Sequence, residues 1–526
     1  MKGDGRMGTD DTIPHILQAA AETWPDVEGV VDGDVRLTFA QLRAMVERAA
    51  RAAMGAGIRK GDRAALWAPN SWEWVVAALG VQRAGGVIVP MTTRYKGDEA
   101  AYLLDRSGAQ LLFTVQDFLG IDYVALLQGC GVALERTVLF GTPSWDQYLD
   151  GATDAELPVV TDGDLSDIIF TSGTTGRPKG VMSTHGQTVR VPRAWSAAVG
   201  LRAGDRYLLV SPFSHASGYK AGFIAAIQSG ATTYPLAVAD TPKILDLVSR
   251  ERISMLPGTP TLFLSILDHP DRHRYDLSSL RLSAVGAASV PVELVERMKA
   301  ELFETVITGY GLTETMGVST MSRFDDRPEI ISRTVGRPLP GVDVRVVDGD
   351  GHPVVPGVAG EVLIRGYNVM KGYFDAPEQT AEAIDPEGWL HTGDIGILDG
   401  AGYLAITDRL KDMYIVGGLN AYPAEIEAAL IRHPDVSMVA VVGMPDERLG
   451  EVGIAFVVPK RGSSPAGEEI IAWCRQEMAN YKVPRQVVLV EALPLNAVGK
   501  VVKPDLRAAA QALVSAGLRS AAEAGS

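Results

Sequence analysis

Apolar residues between positions 12 and 160 switch repeatedly between the spacing of a helix face and the short runs of a buried strand. One helix face follows a capping-box pair and ends before two glycines; the pair is Thr38 and Gln41, and the apolar members are Leu42, Met45, Val46, Ala49 and Ala53. The chain after it predicts a strand at 62–68, a helix at 71–83 and a strand at 86–90. Such alternation is typical of a layered α/β fold.

The last part of the chain predicts a smaller domain of mixed α+β type. Pro423 begins a helix that we expect to extend to residue 432, with strands at 436–442 and 453–458 and a helix near 468–478. Because 526 residues exceed the usual size of one domain, we expect two. The prediction is a large layered α/β domain over 1–410 and a small α+β domain over 411–526.

The stretch 171–180 (Thr-Ser-Gly-Thr-Thr-Gly-Arg-Pro-Lys-Gly) follows a short apolar run and has the composition of an anion site. Its glycines let the main chain turn inward, so that N–H groups can converge on an anion. Ser172, Thr174 and Thr175 add hydroxyl donors, and Lys179 adds a positive charge. The stretch therefore predicts a polyphosphate site. It lacks the Gly-Lys-Ser/Thr order of a Walker A loop, so a P-loop NTPase is not indicated.

Charge and cysteine content narrow the classes of partner. A formal net charge of −15 disfavours nucleic acid and anionic membranes as partners. The two cysteines, Cys130 and Cys474, lie far apart and are expected to be reduced thiols. No run approaches the roughly 18 apolar residues of a membrane span, and the polar N-terminus lacks a signal-peptide core. We expect a cytoplasmic protein without a membrane span.

A second motif, 308–315 (Thr-Gly-Tyr-Gly-Leu-Thr-Glu-Thr), suits a nucleotide with a metal ion. Tyr310 stands between two glycines, so its ring can lie flat against a purine. Thr313 offers a hydroxyl to phosphate, and Glu314 is a hard oxygen ligand of the kind that Mg²⁺ prefers. Further along are His-Thr-Gly-Asp at 391–394 and a Gly-Lys pair at 499–500.

In this order, the motifs resemble those of the adenylate-forming superfamily, which includes acyl- and aryl-CoA synthetases, peptide-synthetase adenylation domains and luciferase. The resemblance spans nearly the whole chain and implies an ATP-dependent acyl-CoA ligase whose small domain is mobile. It implies ATP and Mg²⁺ as cofactors and CoA as a co-substrate. The implied ATP-binding residues are Thr171, Ser172, Gly173, Thr174, Thr175, Lys179, Gly286, Ala287, Ala288, Gly309, Tyr310, Gly311, Thr313, Asp394 and Arg409.

The resemblance also implies roles in chemistry and in domain motion. Catalytic roles fall on Lys500, Thr175, Glu314 and His215, with Glu314 as the metal ligand. Lys411 matches the hinge position. The CoA site is expected at Gly417, Gly418, Lys482 and Arg485. Asp408 departs from the glycine that is usual before the arginine at 409.

The acid pocket is expected between residues 213 and 318. His215 stands where amino-acid-activating relatives have an Asp nearby, which favours a plain carboxylic acid. Many small residues there suggest width, and Lys220 is expected to face either a keto group of the acid or solvent. The segments 218–222, 256–261, 274–280 and 411–427 resemble ligases that activate the two-ring propanoate of bacterial steroid breakdown.

Other functions stay open at this point. They are a ligase for terpenoid, medium-chain or aryl acids, an enzyme that completes mainly adenylation, a nucleotide-binding protein without catalysis, and a luciferase-like oxygenase. A homodimer is also an open alternative.

Overall fold

The structure, a computed structural model, describes most of the chain in two compact units. It covers 11–132, 136–171, 178–286, 290–409, 412–416, 419–446, 448–495 and 501–524, with the backbone alone at 408–409, 419–420 and 514–524. The first unit holds the described residues up to Gly286, with Val290–Val344 and Ile364–Leu390. The second holds Arg345–Leu363 and the described residues from His391 onward. The predicted domain boundary at 410 stays a prediction.

A seven-stranded sheet forms the centre of the first unit. Its strands run in the order Gly372–Tyr373, Lys179–Thr184, Leu165–Thr171, Val87–Pro90, Arg63–Trp67, Leu111–Thr114 and Thr137–Leu139. The five strands from Leu165–Thr171 onward are parallel. The first three pair antiparallel. We call Leu165–Thr171 with Lys179–Thr184 the phosphate hairpin, because the 171–180 motif joins its two strands.

A second sheet of the first unit combines parallel strands with one antiparallel edge. Its four strands are ordered Arg206–Leu209, Thr232–Pro235, Glu28–Asp32 and Val35–Thr38. Single bridges through Met255 join this sheet to the parallel pair Leu282–Ala284 and Thr305–Ile307. Small strand groups complete the unit: Gly309–Tyr310, Thr320–Met321 and Arg337–Pro338 form one, and Asp117–Phe118 with Ile121–Asp122 forms another.

Helices cover both sheets of the first unit, and the capping box is present. Thr38 accepts from the Gln41 main-chain N–H at 3.2 Å, and Gln41 accepts from that of Thr38 at 2.9 Å. Its helix buries the predicted face except Met45, which is half-buried. The α-helices are Ile13–Thr23, Phe39–Gly55, Trp72–Arg83, Gly97–Ser107, Tyr123–Gly129, Pro143–Asp150, His185–Val199, Ala216–Gly218, Ala225–Ser229, Thr241–Glu251, Pro260–Leu267, Val292–Glu301, Pro328–Arg333 and Pro377–Ala383.

Two sheets carry the C-terminal part of the chain. One has the order Val342–Val347, Ala359–Gly366, Leu390–Leu398 and Leu404–Arg409. The other has the order Leu419–Ala421, Tyr414–Val416, Gly450–Pro459 and Val436–Asp446, with Gln486–Leu489 parallel to Gly450–Pro459. The helices here are Pro423–Leu430, Gly467–Glu477 and Lys503–Ala524. The second unit therefore has the expected α+β composition.

Among the described residues, no helix is both long enough and apolar enough to cross a membrane. Cys474 is buried and Cys130 is half-buried, and both are free thiols.

Candidate functional site

The phosphate hairpin brings the two ends of the 171–180 motif together. Thr171 and Lys179 are directly opposite each other in the antiparallel ladder. Backbone pairing between the two strands therefore brings the ends of the loop together, and each strand also pairs with a further strand on its other side. Ser172, Gly173, Thr174 and Thr175 lie outside the described residues, and their phosphate role stays a prediction.

A buried tyrosine connects the lysine of this motif to the carboxylate of the next one. The Lys179 ammonium lies 5.0 Å from the centre of the Tyr373 ring, a cation–π distance. The Tyr373 hydroxyl donates to Glu314 Oε1 at 3.0 Å. Burial, followed by the Glu314 charge, raises the pKa of the Tyr373 phenol well above its usual value, so the phenol stays a proton donor. The structure thus brings Lys179 and Glu314 together, and their roles toward phosphate and Mg²⁺ stay predictions.

Sequence reasoning did not identify Tyr373. It lies on a two-residue strand, Gly372–Tyr373, that pairs with Val181 and Met182 of the phosphate hairpin. The same segment fixes the backbone at Glu314, because the Met370 N–H donates to the Glu314 carbonyl at 2.8 Å. A Gly-Tyr pair without alternating neighbours gives no strand pattern, so only the folded chain brings it to Glu314.

The 308–315 motif forms a tight turn whose glycines are required by close backbone packing. Gly309–Tyr310 pairs with Thr320–Met321, and a Cβ on Gly311 would lie 2.4 Å from the Gly317 carbonyl oxygen. The 3₁₀ helix Thr313–Thr315 follows. Tyr310, Thr313 and Glu314 are half-buried, and their roles toward ATP and Mg²⁺ stay predictions.

The predicted adenine-side turn lies next to this motif. Val285 donates to the Ile307 carbonyl at 2.8 Å, which places Gly286 at the carboxyl end of the parallel pair. A Cβ on Gly286 would lie 3.9 Å from the Gly309 carbonyl oxygen. The structure therefore brings Gly286 and Gly309 together, whereas Ala287 and Ala288 lie outside the described residues.

The predicted acid-pocket segment, 215–224, packs against the chain two residues after the same motif, at Gly317. His215 is half-buried and precedes the short helix Ala216–Gly218, whose first residue lies against Gly317: a Cβ on Gly317 would be 2.9 Å from that of Ala216. A Cβ on Gly218 would be 2.3 Å from the Pro212 carbonyl oxygen. Gly218 therefore serves backbone packing and does not itself widen a pocket.

Lys220 contradicts our expectation that it faces a keto group or solvent. Its side chain is completely buried, and its ammonium lies 3.0 Å from Asp167 Oδ1 and donates to Ser183 Oγ at 2.6 Å. The position follows from a π-helix, Tyr219–Ile224, whose wide turn directs residue 220 into the unit. The sequence pattern gave no indication of this turn.

In the second unit, the two predicted ribose-binding residues lie opposite each other. Asp394 and Arg409 are partners in the antiparallel ladder of Leu390–Leu398 and Leu404–Arg409. Asp394 is buried, and its N–H donates to Thr392 Oγ1 at 3.1 Å. The Arg409 side chain lies outside the description. One ribose could therefore meet residues of two motifs through a single strand pair.

The predicted CoA-site residues are placed only in part. The Lys482 ammonium forms an ion pair with Glu425, and although burial lowers the pKa of Lys482, the Glu425 bond and charge raise it above the usual value. Arg485 is exposed, and its main-chain N–H donates to the Gly453 carbonyl at 2.8 Å. Gly417 and Gly418 lie outside the described residues, as does the predicted hinge Lys411. The CoA role stays a prediction.

The chain on either side of Lys500 is closed by backbone pairing. Leu495 and Val501 form an isolated antiparallel bridge, and the Val502 N–H donates to the Pro494 carbonyl at 2.8 Å. Lys500 itself lies outside the described residues. Its catalytic role therefore stays a prediction.

Comparison with known proteins covers almost the whole chain. The model of the AMP-binding enzyme family matches residues 17–374, and that of the AMP-binding enzyme C-terminal domain matches residues 425–500. A 7a-methyl-1,5-dioxo-octahydro-1H-inden-4-yl propanoyl:CoA ligase of Rhodococcus jostii is 48% identical over 516 residues, which is 94% of this chain and 98% of that protein. The ligase of the same name in Mycobacterium tuberculosis is 47% identical over 508 residues, again 94% and 98%.

Solved structures agree with this similarity. The anthranilate CoA ligase AuaEII, in complex with anthranoyl-AMP, superposes with a TM-score of 0.87 at 28% sequence identity. The match covers 97% of this chain and all of that one (100%). The predicted α/β fold class with a smaller C-terminal domain is confirmed.

Proposed function

Because the chain belongs to the AMP-binding enzyme family and is an adenylate-forming acyl-CoA ligase, we propose that it activates a fused two-ring carboxylic acid through a propanoate arm. The observation that carries this substrate class is the 48% identity, over 94% of the chain, to a ligase named for an octahydro-indenyl propanoyl group. The structural neighbour at 28% identity is named as a ligase for a different acid, anthranilate, so fold alone would not support the proposal.

In the first half-reaction, an oxygen of the acid carboxylate attacks the α-phosphorus of ATP. The bond from that phosphorus to the bridging oxygen breaks, giving acyl-AMP and pyrophosphate. Both reactants are anionic, so positive charge and donors directed at the phosphates lower the barrier. Lys179 and the 171–180 loop would hold the leaving pyrophosphate.

Glu314 is suited to hold Mg²⁺. The Tyr373 hydrogen bond takes up one carboxylate oxygen, and since a carboxylate has two, the other can face a cation. A bound Mg²⁺ would neutralise phosphate charge. Tyr373 would keep the Glu314 carboxylate oriented, and Lys179, against the ring of Tyr373, would face the same phosphates.

The second half-reaction needs a thiol at the acyl carbonyl. The CoA sulfur attacks that carbon, the thiol proton leaves to solvent, and AMP departs with the phosphate oxygen. We propose that Lys500 serves only adenylation, and that rotation about Lys411 exchanges it for Gly417 and Gly418 at the acyl group.

A substrate panel tests the proposed acid class. The purified full chain would be assayed by acid-dependent ATP–pyrophosphate exchange with a fused-ring propanoate, octanoate, palmitate and an aryl acid. We expect the fused-ring propanoate to have the highest kcat/KM. A higher value for octanoate or the aryl acid would assign the chain to the medium-chain or aryl alternative.

A further inference from the structure

Lys220 and Asp167 form a fully buried ion pair that the mechanism above does not use. Both residues are 0% exposed, and Lys220 Nζ lies 3.0 Å from Asp167 Oδ1. Asp167 Oδ2 accepts from the Ser166 hydroxyl at 2.7 Å and from the Thr188 hydroxyl at 3.1 Å. Burial lowers the pKa of Lys220, and the neighbouring Asp167 opposes that shift. Taking two charges out of water costs free energy, which their attraction offsets only where the geometry is good and further hydrogen bonds satisfy both groups.

The Lys220 ammonium contacts both strands of the phosphate hairpin. Asp167 lies on the strand that leads into the 171–180 motif, and Ser183 lies on the strand that leaves it. The two are direct partners in the ladder. Lys220 approaches the first through charge and donates to Ser183 Oγ at 2.6 Å. Lys220 therefore contacts the hairpin at two points, one on each strand.

The same ammonium also contacts the segment that carries Glu314, the carboxylate proposed to hold Mg²⁺. Lys220 Nζ lies 3.1 Å from the Met316 sulfur, and Met316 has a left-handed backbone (φ 58°) two residues after Glu314. Lys220 itself lies on the π-helix that continues the acid-pocket segment from His215. Lys220 thus connects its own segment to two others in the first unit, the phosphate hairpin and the segment of Glu314 and Met316.

We propose that Lys220 is a positioning residue that, through Asp167, Ser183 and Met316, fixes the acid-pocket segment 215–224 against the phosphate hairpin. The hairpin is held by its own ladder and by sheet neighbours on both sides. The acid-pocket segment has a short helix and a π-helix, in which Gly222 departs from helical angles (φ −89°, ψ −110°). The acid-pocket segment is held by fewer backbone hydrogen bonds of regular structure than the hairpin, so we expect loss of the lysine to displace the segment and not the hairpin. The inference rests on the proposed acid site.

The test uses a neutral pair of similar volume, Lys220→Met with Asp167→Asn, in the full chain. Replacing both partners of a buried ion pair is often neutral for stability, whereas removing one leaves a buried charge. We expect the double variant to keep a Tm near that of the wild type. We expect its KM for the acid to rise about tenfold, because a displaced pocket segment loses contacts with the bound acid. The KM for ATP should stay within about twofold, because the ladder holds the hairpin in place.

The control is the partly buried pair of Arg281 and Asp205, whose charged atoms are 2.5 Å apart and whose side chains are 21% and 5% exposed. It lies at the amino ends of the strands Arg206–Leu209 and Leu282–Ala284, away from the motifs at their carboxyl ends. Arg281→Met with Asp205→Asn should leave the KM for the acid unchanged. An equal rise in both double variants would make the Lys220 effect a general loss of packing and overturn the proposal.

Hydrogen exchange makes the inference testable apart from activity. Main-chain amides of 216–224 should exchange at least about tenfold faster in the Lys220 double variant, and those of the hairpin should not. If the wild type exchanged pyrophosphate without any added acid, the proposed function would be refuted. The comparison of amide exchange between wild type and double variant would still decide whether Lys220 positions the segment. If the double variant had the same KM for the acid and the same amide exchange as the wild type, the positioning role of Lys220 would be overturned. If the double variant does not fold, Ser183→Ala should raise the acid KM about threefold, and no rise would overturn the proposal.

Discussion

Tyr373 is the residue that relates the two charged groups of the predicted phosphate chemistry. Its ring receives Lys179 and its hydroxyl holds Glu314. The hydroxyl has a separable role, because phenylalanine would keep the ring and lose only the donor. A glutamate that loses a donor to one oxygen gains rotational freedom, which a metal ligand must give up again on binding.

Tyr373→Phe should raise the Mg²⁺ concentration needed for half-maximal adenylation by about threefold to tenfold, with a stability loss of about 1 kcal/mol. Glu314→Gln should have a larger effect in the same direction, because a neutral amide is a poorer ligand for a hard dication. The measurement is a Mg²⁺ titration of ATP–pyrophosphate exchange. Tyr148→Phe is the control, since its buried hydroxyl donates to the Ala49 carbonyl, away from the motifs. An unchanged titration for Tyr373→Phe would exclude the positioning of Glu314.

His185 gives a pH prediction. Burial lowers the pKa of His185 to about 4, against opposing effects of Asp164 and Asp167, and Nδ1 accepts from the Ile13 N–H at 3.3 Å. Between pH 6.5 and about 4, the unfolded state therefore binds the proton and the folded state does not. Stability falls as the pH falls through that window, by about 2 kcal/mol from pH 7.5 to pH 5.

His185→Gln should remove this part of the acid sensitivity. We expect the wild type to lose more Tm than the variant between pH 7.5 and pH 5, because the glutamine has no proton to gain. Thermal unfolding at the two pH values measures the difference. Equal losses in both proteins would show that His185 does not contribute.

At the scale of elements, the local patterns were predictable and the long-range ones were not. The helix expected at 71–83 is Trp72–Arg83, and the strand expected at 62–68 is Arg63–Trp67, because capping and apolar spacing are local properties. The helix expected to extend to residue 432 ends at Leu430, an ordinary shift of a boundary.

Other elements carry no sequence pattern of their own. The two-residue strand of Tyr373 is formed by pairing with the phosphate hairpin, and the π-helix Tyr219–Ile224 places Lys220 next to a buried partner, Asp167, that is far from it in the chain. The motifs themselves led to predicted roles for Glu314, Lys179, Asp394 and Arg409, since glycines and charged residues at set spacing are visible in the chain; those roles stay predictions. The Asp394–Arg409 ladder and the role of Tyr373 required the fold.

The hinge prediction concerns the linker at Lys411. Lys411→Pro should hold one domain arrangement, because proline restricts its own φ and drives Leu410 toward extended backbone. We expect acyl-AMP formation near the wild-type rate and thioester formation reduced by about 100-fold or more. Each half-reaction would be measured alone, the second with supplied acyl-AMP. Wild-type thioester formation in the variant would place the pivot elsewhere.

At the scale of the whole molecule, the sequence elements for two half-reactions occur in one chain. Lys500 is assigned to the first alone. Lys500→Ala should lower acyl-AMP formation by about 100-fold or more, while thioester formation from supplied acyl-AMP stays within about threefold of wild type. Rapid-quench assays of both steps would check this. An equal loss in both steps would contradict the division of roles.

We propose that this chain converts a fused two-ring propanoate, ATP and CoA into the acyl-CoA thioester, AMP and pyrophosphate. The most direct test is a single reaction of the purified protein with 7a-methyl-1,5-dioxo-octahydro-indenyl propanoate, with all products quantified by mass spectrometry. We expect thioester, AMP and pyrophosphate in equal amounts, and product formation that depends on Mg²⁺. Formation of ADP, or no thioester from this acid when octanoate or an aryl acid gives one, would contradict it.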